Sequence, residues 1–582
     1  MLVALVQKKG RVVTRDELIN RCWNGRFVGD DVINRAISVL RPFLDRAGEF
    51  TIETVPRVGY RLLRRKRRPP RAALVGGAIA LLLGGGWLVE TFASRRGDKQ
   101  DPPVLRVELL PFETSTHDAL TQAAAFAAHD SVSHALAQTR FALVQPSSGA
   151  RQQPRADLIL SADVSSSPDA VIATVRMEQA ADHVVVYSKQ FSVSRAESWR
   201  LAEIIGPQVA GSLGWTEPML LAQQQYPSDP AIVADLLQKA EVDQISWLSD
   251  YERARRDAKS SPDSAVAQLA LAFSTAFNLP NLPREQLPQA VATGRAAAAR
   301  AEQLAPKFGD SYIPWCLLHS RSRMVECQDR LRAAMELDPN SPWVDYTLAD
   351  RLKDGGRFRE ALRLAQHSLA ADDFNPTKIA LTLRLLEATG DTARAEQLFT
   401  QAHRWWPGSQ MIFWDRLYGI LARGDFAELM RFRDDLRGDP MFKAVEFGSE
   451  PIPQLVAAVT SRNIAAVRRI CPVVQQGSFR RDLCMIAFAR TGDKDDAFAL
   501  AFQIFPQRVG RSAADEERLW LDSPFWTDTD IIVGAGAASL RSDRRFLDLT
   551  GRLGIAAYWR SGYLPDFCQP PHTEPVCSAL KT

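Results

Sequence analysis

The stretch Gly10-Arg11-Val12-Val13-Thr14-Arg15-Asp16-Glu17-Leu18 carries the signals of a helix amino terminus. Thr14 and Glu17 have the spacing of a capping box, in which each side chain accepts a hydrogen bond from the other residue's backbone amide. Val13 and Leu18 supply the apolar pair that often flanks such a box. The pattern therefore predicts a short helix that begins at Thr14.

A second helix is predicted from about Asp31. Its apolar residues recur at helical spacing and share one face, and they are Ile33, Ile37, Leu40 and Leu44. Asn34, Arg35 and Ser38 project away from that face. Residues 51–55 and 59–62 alternate like two short strands, and the turn between them contains Arg57. Residues 1–62 are thus predicted to form a winged helix-turn-helix, an α+β fold.

Three blocks of this region, at residues 10–18, 34–41 and 52–61, closely resemble OmpR/PhoB-type winged-helix domains. The resemblance implies that the second helix enters the major groove of double-stranded DNA and that the hairpin contacts a neighbouring minor groove or the backbone. The predicted DNA-binding residues are Asn34, Arg35, Ser38, Arg41, Arg57 and Arg61. The family domain begins with a small sheet that is missing before Met1, so we expect further codons upstream.

Charge is distributed unevenly along the chain. Residues 1–71 contain 17 Lys or Arg and 7 Asp or Glu, a net charge of +10 within a total of +4. This basic region predicts an anionic partner. Residues 72–89 contain no charged side chain and follow a basic linker at 63–71, which predicts one transmembrane helix over 72–92. The alternative is a buried core helix.

The basic flank predicts an inner-membrane protein with a cytoplasmic amino terminus and a periplasmic remainder. Gly76, Ala80 and Gly84 form a small-residue stripe on the predicted membrane helix, which favours a homodimer. The alternative is that glycine is simply common in membrane helices. A winged helix, a membrane span and an extracytoplasmic sensor together resemble the ToxR/CadC-like one-component regulators.

The remainder divides into three predicted parts. Residues 103–215 alternate strands and helices and resemble a TolB-like α/β module. In residues 230–505, four glycines are spaced 34, 34 and 68 residues apart: Gly356, Gly390, Gly424 and Gly492. Ala361, Ala395 and Ala497 keep the same phase, at 34 and then 102 residues. This period is typical of an all-α tetratricopeptide-like solenoid, whose concave face usually binds a peptide or protein. Residues 506–582 are predicted to form a carboxy-terminal cap.

Six of the seven cysteines form pairs that are close in sequence: Cys316 with Cys327, Cys471 with Cys484, and Cys568 with Cys577. Disulfides would suit an oxidising compartment. The alternative is that they are reduced cysteines in the core.

The eight histidines form no convincing metal-binding or catalytic arrangement, and no phosphate-binding loop is present. We therefore expect no enzyme activity, no metal and no cofactor. The predicted function is a membrane-bound transcriptional regulator that binds DNA and senses a signal or partner through its periplasmic region. The alternative is a periplasmic interaction scaffold whose amino-terminal region no longer binds DNA.

Overall fold

The chain divides into two compact units, Met1–Pro103 and Val104–Thr582. The computed structural model describes residues 13–14, 17–18, 37, 50–55 and 59–64 of the first unit. In the second unit it describes residues 105–144 except 117, 156–227, 247–437 except 340, 451–474, 478–505, 528–570 and 574–580.

The first unit contains a three-stranded antiparallel sheet with the order β1-β3-β2. The strands are β1 (Val13–Thr14), β2 (Phe50–Val55) and β3 (Gly59–Arg64). Strands β2 and β3 form the predicted hairpin, with Val55 paired to Gly59 and Phe50 paired to Arg64. The hairpin prediction is confirmed, and both strands are longer than the alternation of side chains indicated.

The predicted fold class and location need a correction. Among the described residues, no helix has both the length and the apolar character needed to cross a membrane. The segment predicted to do so, residues 72–92, lies outside the described residues, as does the small-residue stripe within it. The fold class with a membrane span and the inner-membrane location are therefore not retained. The described residues form an antiparallel hairpin sheet near the amino terminus and a mostly helical region toward the carboxy terminus.

The second unit begins with a mixed sheet in the order β6-β4-β7-β8-β9, and β5 also pairs with β7. Strand β4 runs parallel to β6 and β7, whereas β7, β8 and β9 form an antiparallel meander. The strands are β4 (Arg106–Leu109), β5 (Glu113–Thr114), β6 (Ala142–Val144), β7 (Leu158–Ser166), β8 (Ala170–Gln179) and β9 (Val185–Ser194). Leu158, Leu160 and Val164 alternate along β7 and are fully buried, which is why this strand keeps its register.

Two helices, α1 (Ala119–Ala137) and α2 (Trp199–Gln225), pack against each other and contact this sheet. A Cβ atom on Gly206 of α2 would lie 2.5 Å from the carbonyl oxygen of Ser131, so the absence of a side chain permits the close contact. Helix α2 continues beyond the predicted boundary at residue 215. There the Trp343 indole donates to the carbonyl oxygen of Gly214 at 3.1 Å, so α2 also packs on the helices that follow.

The helices that follow form a series of antiparallel pairs joined by short turns. In chain order they are α3 (Trp247–Ser260), α4 (Ala265–Asn278), α5 (Leu287–Leu304), α6 (Ile313–Leu317), α7 (Met324–Leu337), α8 (Pro342–Asp354), α9 (Phe358–Ala370), α10 (Pro376–Thr389), α11 (Thr392–Trp405), α12 (Gln410–Arg423), α13 (Phe426–Asp435), α14 (Pro451–Thr460), α15 (Ile464–Val474), α16 (Ser478–Thr491) and α17 (Lys494–Ile504).

The glycines of the 34-residue spacing lie in the turns between paired helices. Gly356, Gly390, Gly424 and Gly492 have φ angles of +74°, +85°, +72° and +91°. Residues other than glycine rarely adopt these angles, which explains why glycine recurs at this position. The alanines of the same spacing, Ala361, Ala395 and Ala497, are fully buried between helices. The glycine and alanine spacing therefore marks a real structural period.

The carboxy-terminal residues pack back onto these helices. They contain α18 (Asp530–Val533), a 3-10 helix (Ala535–Ser542), α19 (Arg544–Arg552), α20 (Ile555–Arg560) and α21 (Pro575–Ala579). The Trp559 indole donates to the carbonyl oxygen of Gly355 at 2.9 Å, and Gln328 Nε2 donates to the Tyr558 hydroxyl at 2.5 Å. The end of the chain thus covers the turn between α8 and α9.

The structure joins the three cysteine pairs as disulfides. The Cα atoms are 5.1 Å apart in Cys316–Cys327, 5.8 Å in Cys471–Cys484 and 5.4 Å in Cys568–Cys577. Each separation lies in the usual range for a disulfide. The formation of these bonds in the cell stays a prediction, and Cys22 lies outside the described residues.

Candidate nucleic-acid interface

The capping box at Thr14 is present as predicted. The backbone amide of Glu17 donates to Thr14 Oγ1, and the backbone amide of Thr14 donates to Glu17 Oε2, both at 3.2 Å. These two bonds satisfy amide groups that a helix start otherwise leaves without a partner. The first helix of the predicted motif therefore begins where the sequence indicated.

A small core ties this helix start to the hairpin. Val13 of β1 pairs with Tyr60 of β3, and both side chains are buried. Leu18, one turn into the first helix, is fully buried, and Ile37 is 1% exposed. Ile37 belongs to the apolar face predicted for the second helix. Its burial agrees with the prediction that this face points into the core.

Of the six predicted DNA-binding residues, Arg61 is the one that the structure describes. It lies on β3, is half-buried and is paired in register with Glu53 of β2. Because Arg61 lies directly opposite an acidic residue, it suits a role in stabilising the hairpin as well as a contact with the DNA backbone. Its role in DNA binding stays a prediction. Asn34, Arg35, Ser38, Arg41 and Arg57 lie outside the described residues.

A helix start with a capping box, the buried Ile37 and an antiparallel hairpin agree with the winged helix predicted from the sequence. Residues 1–62 match the family described as "Transcriptional regulatory protein, C terminal". The amino-terminal region therefore contains a DNA-binding domain of the OmpR/PhoB type, as found in transcriptional regulators.

A particular relative is the Transcriptional activator CadC of Escherichia coli (strain K12). The two chains are 39% identical over 66 residues, which is 11% of this chain and 13% of that protein. The similarity thus spans about the length of one small domain.

A second candidate site lies in the helical region and was not predicted from the sequence. The Arg384 guanidinium on α10 makes two hydrogen bonds of 2.7 Å to the Asp530 carboxylate and one of 2.7 Å to Asp528. Lys353 on α8 donates to Asp528 at 2.8 Å. Arg384 also donates to Asp415 on α12 at 3.1 Å. Asp528 and Asp530 are separated from Arg384 by more than 140 residues, so no local pattern could indicate these two partners.

Proposed function

We propose that the chain is a one-component transcriptional regulator. Its amino-terminal domain binds a DNA site directly, and the region that begins at Val104 receives the signal as a contact with a protein or peptide. The proposal also includes a homodimer and assigns no catalytic step to the chain. The observation that supports it best is the match of residues 1–62 to the DNA-binding family, together with the capping box and hairpin inside that match.

The charge of the amino-terminal region supports DNA as the partner on physical grounds. An excess of ten positive charges in residues 1–71 attracts a polyanion and displaces its counterions on binding. Affinity of this kind is not sequence-specific by itself, because phosphate contacts position a protein whereas base contacts give specificity. The proposal therefore assigns base contacts to the second helix and phosphate contacts to the hairpin.

Two substitutions in the full chain separate these roles. Asn34→Ala should weaken binding to a preferred duplex by about 1–3 kcal/mol and relax the preference at one base pair, because asparagine pairs bidentately with adenine. Arg57→Ala should weaken binding to every duplex alike and lower the salt dependence by about one unit of slope. Gel-shift titrations over a range of salt concentrations measure both effects.

Arg431→Ala is a matched control, since this exposed arginine lies on α13, in the other unit of the chain. Thermal unfolding must show that each variant is folded. If folded Asn34→Ala and Arg57→Ala proteins bind as tightly as the wild type, the proposed docking face is wrong. If the wild-type chain binds no duplex, the alternative of an interaction scaffold is favoured.

A further inference from the structure

Helix α1 of the α/β module is apolar on all of its sides, although one side is exposed. Its 19 residues include one carboxylate, that of Asp130, and no Lys, Arg or Glu. The apolar residues of the exposed side are Ala119, Ala123, Phe126, Ala127 and Ala137. A surface helix normally has a polar outer face, and a helix that is apolar all round is normally buried. The exposed side of α1 therefore has the composition of a buried surface.

Large aromatic side chains are exposed on α1 and on its neighbour α2. Phe126 on α1 is 76% exposed, and Trp199, the first residue of α2, is 65% exposed. In the part of the chain that the structure describes, the other exposed large apolar side chain is Leu337. Single exposed apolar residues are common, but a continuous apolar patch marks an interaction site. The two aromatic residues must therefore be placed relative to each other.

Helices α1 and α2 run side by side in the same direction. Asp118 and Arg195, which precede the two helices, form an ion pair of 3.6 Å. Arg140, which follows α1, pairs with Glu217 in α2. Because the helices are parallel and packed together, each residue of α1 can be matched to the residue at the same height on α2.

Phe126 and Trp199 lie at the same height on these helices. The Ser131 hydroxyl donates to the carbonyl oxygen of Ala202 at 2.5 Å, and Ser131 also lies against Gly206, so its height on α2 is midway between them. Five residues before Ser131 lies Phe126, and five residues before that midpoint lies Trp199. We name the exposed surface that results the α1 patch, and its residues are Ala119, Ala123, Phe126, Ala127 and Trp199.

The α1 patch is complementary to a second copy of itself. On α1, Phe126 is its one large side chain, and the small side chains of Ala123 and Ala127 lie beside it. When two α1 helices pack in opposite directions about a two-fold axis near Phe126 and Ala127, the ring of each copy lies against Ala127 of the other. Asp130 then lies opposite Ala123 of the other copy, so the two carboxylates do not meet.

The area of the patch is sufficient for a dimer. Phe126 and Trp199 from two copies bury roughly 150–250 Å² each, and the alanines and flanking side chains add to this area. The contact therefore reaches the area of about 1,000 Å² that a specific interface needs. A two-fold contact also suits a DNA-binding protein, because dimers of helix-turn-helix proteins bind paired half-sites.

We propose that the α1 patch is the contact between two copies of this chain, with their α1 helices antiparallel about a two-fold axis near Phe126 and Ala127. This inference rests on the homodimer in the proposed function and names the surface that forms it.

Sedimentation equilibrium of the full chain over a range of concentrations measures the dissociation constant of the dimer. Phe126→Glu places a charge in the apolar contact of both copies, so it should raise this constant at least about thirtyfold. Leu337→Glu is a matched control, because Leu337 is an exposed large apolar residue at the end of α7. It should leave the constant unchanged.

A cysteine cross-link keeps the test decisive if Phe126→Glu does not fold. Ala127→Cys should form a disulfide between two copies on mild oxidation, because Ala127 lies beside the two-fold axis. Ala299→Cys, at an exposed position on α5, should not form one. Peptide mapping of the oxidised proteins identifies the bond.

The outcomes separate this inference from the proposed homodimer. A chain that is monomeric at every concentration would overturn both. A dimer that tolerates Phe126→Glu and forms no bond at the cysteine introduced at position 127 would overturn the inference alone. Neither measurement includes DNA, so its result is independent of DNA binding.

Discussion

Asp482, on α16, illustrates how a single buried carboxyl group makes the stability of the helical region depend on pH. Its side chain is buried, and Asp482 Oδ2 accepts a hydrogen bond from the Tyr418 hydroxyl at 3.1 Å. Burial raises the pKa of Asp482 to about 7, because the carboxylate loses its hydration. The bond from Tyr418 and the charge of Arg481 lower this pKa, whereas Asp528 adds to the increase.

The raised pKa predicts a definite pH dependence of stability. In the unfolded chain an aspartate titrates near 4, so between pH of about 4 and 7 the folded protein binds the proton more tightly than the unfolded one. The free energy of unfolding therefore falls as pH rises through this window. Asp482→Asn removes the effect and keeps an oxygen that accepts from Tyr418. Its stability relative to wild type should increase by up to about 3–4 kcal/mol from pH 4 to pH 8.

Chemical denaturation at a series of pH values measures this difference. Asp435→Asn is a suitable control, because Asp435 is exposed near the end of α13. Parallel stability curves for wild type and Asp482→Asn between pH 4 and 8 would show that the carboxyl group titrates normally in the folded protein.

At the scale of elements, the glycines between helices were the feature of the helical region that the sequence predicted best. Their spacing indicated turns because a helix that ends in a left-handed residue selects glycine at that point. The spacing could not show which of these turns pack against other parts of the chain. Gly424 lies against Gly536, and a Cβ atom added to Gly424 would be 2.6 Å from the Cα atom of Gly536. At Gly390 an added Cβ atom would meet nothing within 4 Å.

This contrast gives a matched pair of substitutions. Gly390→Ala should cost about 1–2 kcal/mol, the strain of a left-handed residue with a side chain. Gly424→Ala carries the same strain and in addition pushes against the Gly536 backbone, so it should cost about 1–3 kcal/mol more. Urea unfolding of the two variants, followed by circular dichroism, compares them directly. Equal losses of stability would mean that the Gly536 backbone does not pack on the turn between α12 and α13.

Helix α2 shows why element boundaries were less predictable. The sequence placed the end of the α/β module at residue 215, but helix α2 continues to Gln225. Helix α2 contacts helices far along the chain, for example through the bond from the Trp343 indole to the carbonyl oxygen of Gly214 at 3.1 Å. Local periodicity contains no information about such partners.

At the scale of the whole molecule, the order of helices and strands was predictable from the sequence. The contacts between residues far apart in the sequence were not. The hairpin, the α/β module and the helical period each follow from a local pattern of apolar residues and glycine. The ion pair between Arg384 and Asp530 joins residues 146 positions apart in sequence, and no periodic pattern of residues indicates such a pair. The uncharged run at residues 72–89 was the pattern that led to the corrected membrane prediction.

We propose that this chain binds specific DNA sequences through its amino-terminal domain. The most direct measurement selects duplexes from a random-sequence pool with the full chain, then compares a selected and a scrambled duplex by fluorescence anisotropy at several salt concentrations. We expect affinity for the selected duplex about a thousandfold or more above that for the scrambled one, with both affinities falling as salt increases. A pool that yields no preferred sequence, or equal affinities for the two duplexes, would contradict it.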